Sequence, residues 1–208
     1  MPLDDALPPS RLPVRPTADQ IASHFVEAYG IRVDVQGLET LPERARLGLA
    51  GARPPEPPDA MLIDRVLQVA PRAMLRGVKR IVVLGRGTAR YGGYLNGIVR
   101  LGASSADRRT RDADFGGRFS VFVTTVLHEI GHSVYLDLLA PEQHTALTDT
   151  YLDRFIRERP RGAQEPSEGG AEHFFVALLT AALLRTDSSS GTAHQARSVL
   201  ELLRVRMD

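Results

Sequence analysis

Residues 128–132 have the sequence His-Glu-Ile-Gly-His, which combines two metal-binding side chains with one that can act as a base. Residues four apart lie one above the other on an α-helix, so His128 and His132 would direct two imidazoles at a single Zn²⁺. Glu129 would lie beside the metal and accept a proton from a water molecule that the metal activates. The spacing therefore predicts metal-assisted hydrolysis, with one zinc ion in each chain.

The residues around this motif indicate a buried helix rather than a polar loop. Apolar side chains recur at steps of three and four, at positions 119, 122, 123, 126, 127, 130, 134 and 138. A five-residue match also arises by chance, and the alternative is a pair of core histidines that hydrogen bonds satisfy without a metal. Buried imidazoles need partners, because an unsatisfied buried polar group costs about 1–3 kcal/mol. A metal would satisfy both.

A second helix is predicted where a third ligand could lie, since the apolar residues at 171, 174, 175, 178 and 179 have helical spacing. Glu168 and Glu172 are four apart and share one face. This suits Glu168 as the third metal ligand and Glu172 as the acceptor for the N–H of a ligating imidazole. The alternative is that both carboxylates only complement a helix dipole. The metzincin solution, a histidine in an extended motif, is excluded because Tyr135 and Leu138 occupy the matching positions.

Together the two segments resemble the gluzincin metallopeptidases, and within them the group typified by the catalytic domain of anthrax lethal factor and the Pro-Pro endopeptidases. That group carries H-E-x-G-H on one helix and E-x-x-A-E-x-F on the next, and residues 168–174 here are Glu-Gly-Gly-Ala-Glu-His-Phe. The resemblance covers roughly residues 59–185. It implies an α+β, zincin-like fold with a small mixed sheet, an active-site helix and a helical C-terminal half. It also implies a zinc-dependent endopeptidase acting on a peptide or protein substrate, of the kind found among toxins and effectors.

The chain departs from that group at one position that bears on catalysis. A tyrosine is expected seven residues before the third ligand, and Arg161 stands there instead. A guanidinium is always charged and donates in a fixed fork, so Arg161 could stabilise the oxyanion of the transition state. Tyr151, Tyr135 and His173 are the alternatives for this role.

Two other functions stay open. The helix after the motif is also similar to the ImmA and IrrE group of intracellular metallopeptidases, which cleave repressors. Glu172, however, stands where that group usually has asparagine, and no helix-turn-helix is evident beside it. The other alternative is a toxin-like or regulatory binding module in which zinc has only a structural role. The missing tyrosine favours it, whereas Glu129 and the lack of an obvious fourth ligand argue against it.

Composition and charge limit the class of protein. The 208 residues, 43% hydrophobic and 25% charged, can form one core and an accessory subdomain. A formal net charge of +1 gives no field that would steer the chain to nucleic acid or an acidic membrane, so neither partner is predicted. Zero cysteines exclude disulfides and thiolate zinc sites. No signal peptide or bilayer-spanning segment is evident, so a cytoplasmic location or export by a specialised route is expected, with the oligomeric state left open.

Three regions are predicted along the chain. Residues 1–16 are proline-rich and predict a flexible N-terminal arm. Residues 17–58 predict an N-terminal α/β piece that ends in a stiff proline-rich connection, and residues 59–208 the catalytic domain. Strands are predicted at 31–35, near 79–84 and near 97–101, and helices, besides the motif helix, at 17–29, 59–70, 141–159, 168–186 and 192–206.

Residues 91–97, Tyr-Gly-Gly-Tyr-Leu-Asn-Gly, allow two interpretations. They could form a simple hairpin bend, or an edge strand whose backbone groups bind an extended peptide near the zinc. On the second interpretation, Tyr91, Gly92, Gly93 and Tyr94 are the candidate substrate-binding residues. Residues 85–87, Gly-Arg-Gly, lack the third glycine of a dinucleotide-binding loop, so they predict a tight turn.

Overall fold

A computed structural model gives the fold of most of the chain, and it describes residues 6–36, 49, 51–85, 92–102, 108–115, 117–158 and 170–184. In chain order the elements are α1 (Ala18–Tyr29), β1 (Ala52–Arg53), α2 (Pro57–Leu67), β2 (Arg80–Leu84), β3 (Gly93–Leu95), β4 (Ile98–Leu101), α3 (Val121–Asp137), α4 (Pro141–Glu158) and α5 (Gly170–Leu183). Short 3-10 helices lie at Arg72–Gly77 and Ala113–Phe115. The predicted α+β class is confirmed, with a small mixed sheet and a helical C-terminal half. None of the helices within these ranges combines the length and apolar character that crossing a bilayer requires.

The sheet has four strands in the order β1-β2-β4-β3. β2 and β4 are parallel, while β1 pairs antiparallel with β2 and β3 pairs antiparallel with β4. The hairpin between β3 and β4 turns at Asn96 and Gly97, whose φ angles of 51° and 83° are both left-handed. Asparagine and glycine tolerate this conformation, and two such residues match the twist of a hairpin. The strands predicted near 79–84 and 97–101 are present as β2 and β4.

The two faces of the sheet meet different partners, because successive side chains of a strand point to opposite faces. Four residues of β2 and β4 face the main hydrophobic core, to which α3 also contributes: Ile81, Val83, Val99 and Leu101. Val82 and Ile98 alternate with them and pack on the opposite face with Leu49. Arg100 follows Ile98 by two positions, so its side chain also begins on that second face.

Helix α3 carries the His-Glu-Ile-Gly-His motif through the centre of the core. Ser120 caps its N-terminus by accepting a hydrogen bond from the amide of Val123 at 3.4 Å. Six apolar side chains of the helix have no exposed surface: Phe122, Val123, Val126, Leu127, Ile130 and Val134. Burying one such side chain contributes about 1.5–3 kcal/mol, so packing holds this helix firmly. The buried helix predicted from the apolar spacing is confirmed.

Other helices also follow the prediction. Helix α1 begins after Thr17, which forms the expected capping box with Gln20, and ends at Gly30 with a left-handed φ of 71°. Helices α4 and α5 lie where helices at 141–159 and 168–186 are predicted. The helix predicted at 192–206 lies outside the described residues.

The strand predicted at 31–35 is wrong. Within these residues only Arg32 forms a β-bridge, to Arg80 of β2. The chain then leaves the sheet, because the carboxylate of Asp34 accepts the amide hydrogen of Gln36 at 2.9 Å and closes a local turn. The alternation of apolar and polar residues is real, since Ile31 and Val33 are buried, but it reflects burial without strand pairing.

The stiff proline-rich connection predicted at the end of residues 17–58 instead contains regular secondary structure. Ala52 and Arg53 form β1 and pair with β2. Helix α2 then begins at Pro57, two residues before its predicted start, and ends at Leu67 rather than near residue 70. Pro57 and Pro58 fit there, because amides in the first turn of a helix have no partner within the helix and proline loses nothing by lacking one.

A buried carboxylate, Asp64 of α2, holds the N-terminal segment. It has no exposed surface and lies 2.6–2.8 Å from four donors: Ser10 Oγ, the amide of Arg11, His24 Nε2 and Tyr29 Oη. Burial alone would raise the pKa of Asp64, but these hydrogen bonds outweigh it and hold the pKa below its usual value. Arg65 and Gln68 donate to the backbone carbonyls of three residues: Leu7, Pro8 and Pro9.

One hydrophobic core contains residues from all three regions predicted along the chain, among them Leu12, Phe25 and Val66. Leu7 and Leu12, which lie within the predicted N-terminal arm, are buried. The division of the chain into an arm, an N-terminal piece and a catalytic domain stays a prediction.

Candidate metal centre

Helix α3 places the two histidines of the motif one above the other. The ring centroids of His128 and His132 are 4.7 Å apart, and their Nε2 atoms are 3.0 Å apart. In a tetrahedral zinc site with Zn–N distances of about 2.0–2.1 Å, two ligating nitrogens lie about 3.3 Å from each other. The pair therefore fits a shared metal ion with little adjustment.

Both imidazoles are neutral at neutral pH. Burial lowers the pKa of His128 to about 4, and electrostatic repulsion from His132 and His173 acts in the same direction. Burial also lowers the pKa of His132, although the hydrogen bond with Glu172 acts in the opposite direction. A neutral imidazole offers a nitrogen lone pair, so these two side chains have the protonation state that a metal ion requires of its ligands.

Glu172 of α5 fixes the ring of His132. Its Oε1 lies 2.6 Å from Nδ1 of His132, so the carboxylate accepts the Nδ1 hydrogen and leaves Nε2 to bind a metal. This is the contact that the predicted supporting role of Glu172 requires. Gly131 allows α5 to come close enough for this contact. A Cβ at position 131 would lie 3.0 Å from Val176 Cγ1 of α5, which is closer than ordinary packing. The missing side chain lets α3 and α5 approach closely.

Glu129 is the buried carboxylate of the site, with only 4% of its surface exposed. It faces the residue just before β3, since a Cβ on Gly92 would lie 2.5 Å from its Oε1. Burial raises the pKa of Glu129 to about 7, with Arg100 lowering it and Glu172 raising it. Among the described residues its Oε2 has no hydrogen-bond partner. A carboxylate with a pKa near neutrality can both accept and return a proton at that pH.

His173 brings a third imidazole to the same place. Its ring centroid lies 5.1 Å from that of His132 and 5.8 Å from that of His128. One nitrogen from each of the three rings lies within 4.8 Å of the other two, so this cluster could hold a metal ion. Sequence reasoning places His173 only among the candidates for oxyanion stabilisation. The sequence signal for a metal-binding role was its position next to Glu172. Neighbouring residues on a helix are rotated by about 100° around its axis, so both side chains can face one site.

Three predicted site residues, Glu168, Arg161 and Tyr91, lie outside the described residues, so their roles stay predictions. Tyr151 reaches the first turn of α5 from α4, where its hydroxyl occupies the space that a Cβ on Gly170 would need.

Two further tyrosines have defined surroundings. The ring of Tyr135 packs edge-on against His144 at 4.4 Å, and burial raises its pKa, as does the charge of Glu172. The hydroxyl of Tyr94 contacts the carbonyl of Gly77 at 2.9 Å and the carboxylate of Asp137. Burial raises the pKa of Tyr94, and so does Asp137. Tyr94 thereby ties β3 to the C-terminal end of α3.

The described residues thus assemble two imidazoles that meet edge to face, a third beside them, a carboxylate that orients one ring and a buried carboxylate with a pKa of about 7. Such a set can bind a divalent metal and move a proton next to it. Comparison of the chain with protein-family models, with curated proteins and with solved structures found no match in any of the three.

Proposed function

We propose that this chain is a zinc-dependent peptidase in which Glu129 acts as the general base. The observation that carries the proposal is the convergence of the Nε2 atoms of His128 and His132, with Glu172 on the opposite nitrogen of His132. Two core histidines that only complete the fold would not need a buried carboxylate with a raised pKa beside them. Hydrolysis at a metal requires a base in this position.

When bound, zinc would polarise the scissile carbonyl and lower the pKa of a water molecule towards neutrality. Glu129 would accept a proton from this water and later return it to the leaving amine, and its buried position beside the two histidines suits that role. Glu172 keeps His132 in the orientation that presents Nε2. Gly92 leaves room for the Glu129 carboxylate directly beside the backbone that precedes β3.

The proposed substrate is a peptide or protein segment in extended conformation. β3 is the last strand of the sheet on its side, and among the described residues no other strand pairs with its outer edge. An extended peptide that adds to this edge would make backbone hydrogen bonds next to Glu129. The proximity of Gly92 to Glu129 supports this placement.

A structural zinc module is the second candidate, and His173 is the observation that favours it. We propose Glu168 as the third ligand of a catalytic site, in which the fourth position stays open for water. If Glu168 and His173 both bind the metal together with the histidine pair, four protein ligands would fill the tetrahedral site and leave no such position.

Zinc content by elemental mass spectrometry, paired with cleavage of a diverse peptide library, separates these candidates. The peptidase proposal predicts about one zinc per chain, chelator-sensitive cleavage, loss of zinc in His132→Ala and Glu168→Ala, and retained zinc in His173→Ala. Glu129→Gln should keep its zinc and lose cleavage. Weakened zinc binding in both Glu168→Ala and His173→Ala, with no cleavage by wild type, would support the structural module. A wild type that binds no zinc and cleaves nothing would refute both.

A further inference from the structure

Arg100 of β4 places a positive charge near Glu129 that the mechanism above does not use. In the sheet Arg100 stands opposite Val82 of β2 on one side and Gly93 of β3 on the other. Val82 packs on the sheet face that lies away from α3, so the side chain of Arg100 begins on that face.

Gly93 lets this side chain extend across the outermost strand. The Cζ and Nε atoms of Arg100 lie 3.1 and 3.2 Å from the point that a Cβ on Gly93 would occupy, and a terminal nitrogen lies closer still. The guanidinium therefore rests on the backbone of β3, in space that any other residue at 93 would fill. The positive charge of Arg100 also acts on Glu129, where it lowers the pKa of the carboxyl and so opposes the effect of burial.

We infer that Arg100 recognises an acidic side chain of the substrate, so that the enzyme prefers peptides with aspartate or glutamate at the position that pairs with Gly93. This inference rests on the proposed peptidase function. Residues directly opposite each other on neighbouring strands have side chains on the same face, about 4.5–5.5 Å apart. The peptide residue paired with Gly93 would therefore point its side chain at the guanidinium of Arg100.

The chemistry of this contact selects for a carboxylate. A guanidinium has five N–H donors, so it can bind both oxygens of a carboxylate in addition to groups of the fold. A lysine at the same peptide position would meet a like charge. Because Gly92 lies against Glu129, the acidic residue is expected within about two residues of the cleaved bond, given the rise of about 3.3 Å per residue in a strand.

The test starts from one cleaved library peptide, blocked at both ends so that no terminal carboxylate contributes. Each position in turn is made Asp, Asn or Lys, and kcat/KM is measured for the zinc-loaded full-length protein. At one position Asp should exceed Asn by about tenfold or more. Arg100→Met should abolish the difference between the Asp and Asn peptides, while any effect of the lost charge on Glu129 changes kcat/KM for both peptides by the same factor. Arg100→Glu should favour the Lys peptide.

Two variants separate recognition from general damage to the fold. Arg80→Met removes an equal charge from the same sheet face on β2, away from the outer edge, and should keep the preference for Asp. Gly93→Ala keeps Arg100 but takes the space of its guanidinium, so it should reduce the preference in a folded protein. Circular dichroism and thermal unfolding confirm that each variant is folded.

Two outcomes would overturn this inference and leave the peptidase proposal standing. One is cleavage by wild type without a preference for acidic residues. The other is an equal loss of rate for all peptides in Arg100→Met, so that the preference for Asp remains. If wild type cleaves no peptide, the peptidase proposal fails instead. Binding of labelled library peptides, with Asp or Asn at each position in turn, to zinc-loaded Glu129→Gln is then measured by fluorescence polarisation and decides the recognition step. Equal affinity for the Asp and Asn peptides at every position would overturn it, and a preference that needs Arg100 would sustain it.

Discussion

The substitution Glu129→Gln is expected to stabilise the metal-free protein at pH 7 and above. Glu129 is only 4% exposed, and burial raises its pKa from 4.5 to about 7. The raised pKa means that the folded protein disfavours the ionised carboxylate, because burial removes its hydration without a full replacement. Glutamine has nearly the same shape and cannot ionise, so the variant avoids this cost.

The magnitude follows from the pKa shift. A change from 4.5 to about 7 is about 2.5 pKa units, and at 1.36 kcal/mol per unit this corresponds to about 3 kcal/mol. Between these pH values the folded protein keeps a proton on Glu129 that the unfolded chain has lost. Wild-type stability contributed by this group therefore falls as the pH rises through the window, and the loss is complete above pH 7. The stability advantage of Glu129→Gln should grow by about 3 kcal/mol from pH 4.5 to pH 8.

Thermal and urea unfolding of chelator-treated wild type and Glu129→Gln between pH 4.5 and pH 8 measure this difference. In a chain of this size 1 kcal/mol shifts Tm by about 2–4 °C, so the gap between the two proteins should widen by about 6–12 °C. Histidines titrate in both proteins, and to a first approximation their contribution cancels on subtraction. A gap that is the same at every pH would refute the conclusion that Glu129 is a buried carboxylate with a raised pKa.

Three further substitutions test the rest of the site and the fold. Glu172→Gln removes the charge that orients His132 and should weaken zinc affinity about ten- to hundredfold in competition with a chelating dye; unchanged affinity would mean that this contact does not prepare the ligand. Gly92→Ala would put a Cβ 2.5 Å from Glu129 Oε1, so kcat/KM should fall by about tenfold or more at full zinc content, and normal turnover would contradict the close approach. Asp64→Asn should destabilise the protein by about 3 kcal/mol in urea unfolding at pH 7, because it removes a buried charge that several donors surround. The folded protein lowers the pKa of Asp64 from 3.8. The stability advantage of the wild type over Asp64→Asn should therefore disappear as the pH falls below about 4 and through the lowered pKa. An advantage that persists at that pH would argue against an ionised carboxylate.

The helices of this fold could be predicted because their signals are local. Thr17 and Gln20 cap α1 within one turn, and the apolar stripe of α3 lies entirely within the helix. The strand at 31–35 could not be predicted correctly, because alternation reports which side chains are buried and does not report a pairing partner. Ile31 and Val33 are buried as the pattern requires, yet the chain turns away from β2 after a single bridge.

In the candidate site, too, the features with local signals could be predicted and those that depend on packing between elements could not. His128 and His132 are one helical turn apart, so their close approach follows from the spacing alone. The arrival of His173 depends on how closely α5 packs against α3, which in turn depends on the missing side chain of Gly131. The pairing of Arg100 with Gly93 follows from the two-residue turn at Asn96 and Gly97, a local signal that the prediction did not use. The approach of Gly92 to Glu129 depends on how this hairpin packs against α3, which no local pattern encodes.

The attachment of the N-terminal segment to α2 has a consequence for folding kinetics. The hydrogen bonds that hold it join residues 53 to 59 positions apart, so the chain must close a long loop before any of them can form. Docking is therefore expected after the rate-limiting step of folding, once α1 and α2 have formed the surface around Asp64. Substitutions such as Ser10→Ala should leave the folding rate nearly unchanged and accelerate unfolding. Residues 6–12 would then govern how long the native state lasts more than how quickly it forms.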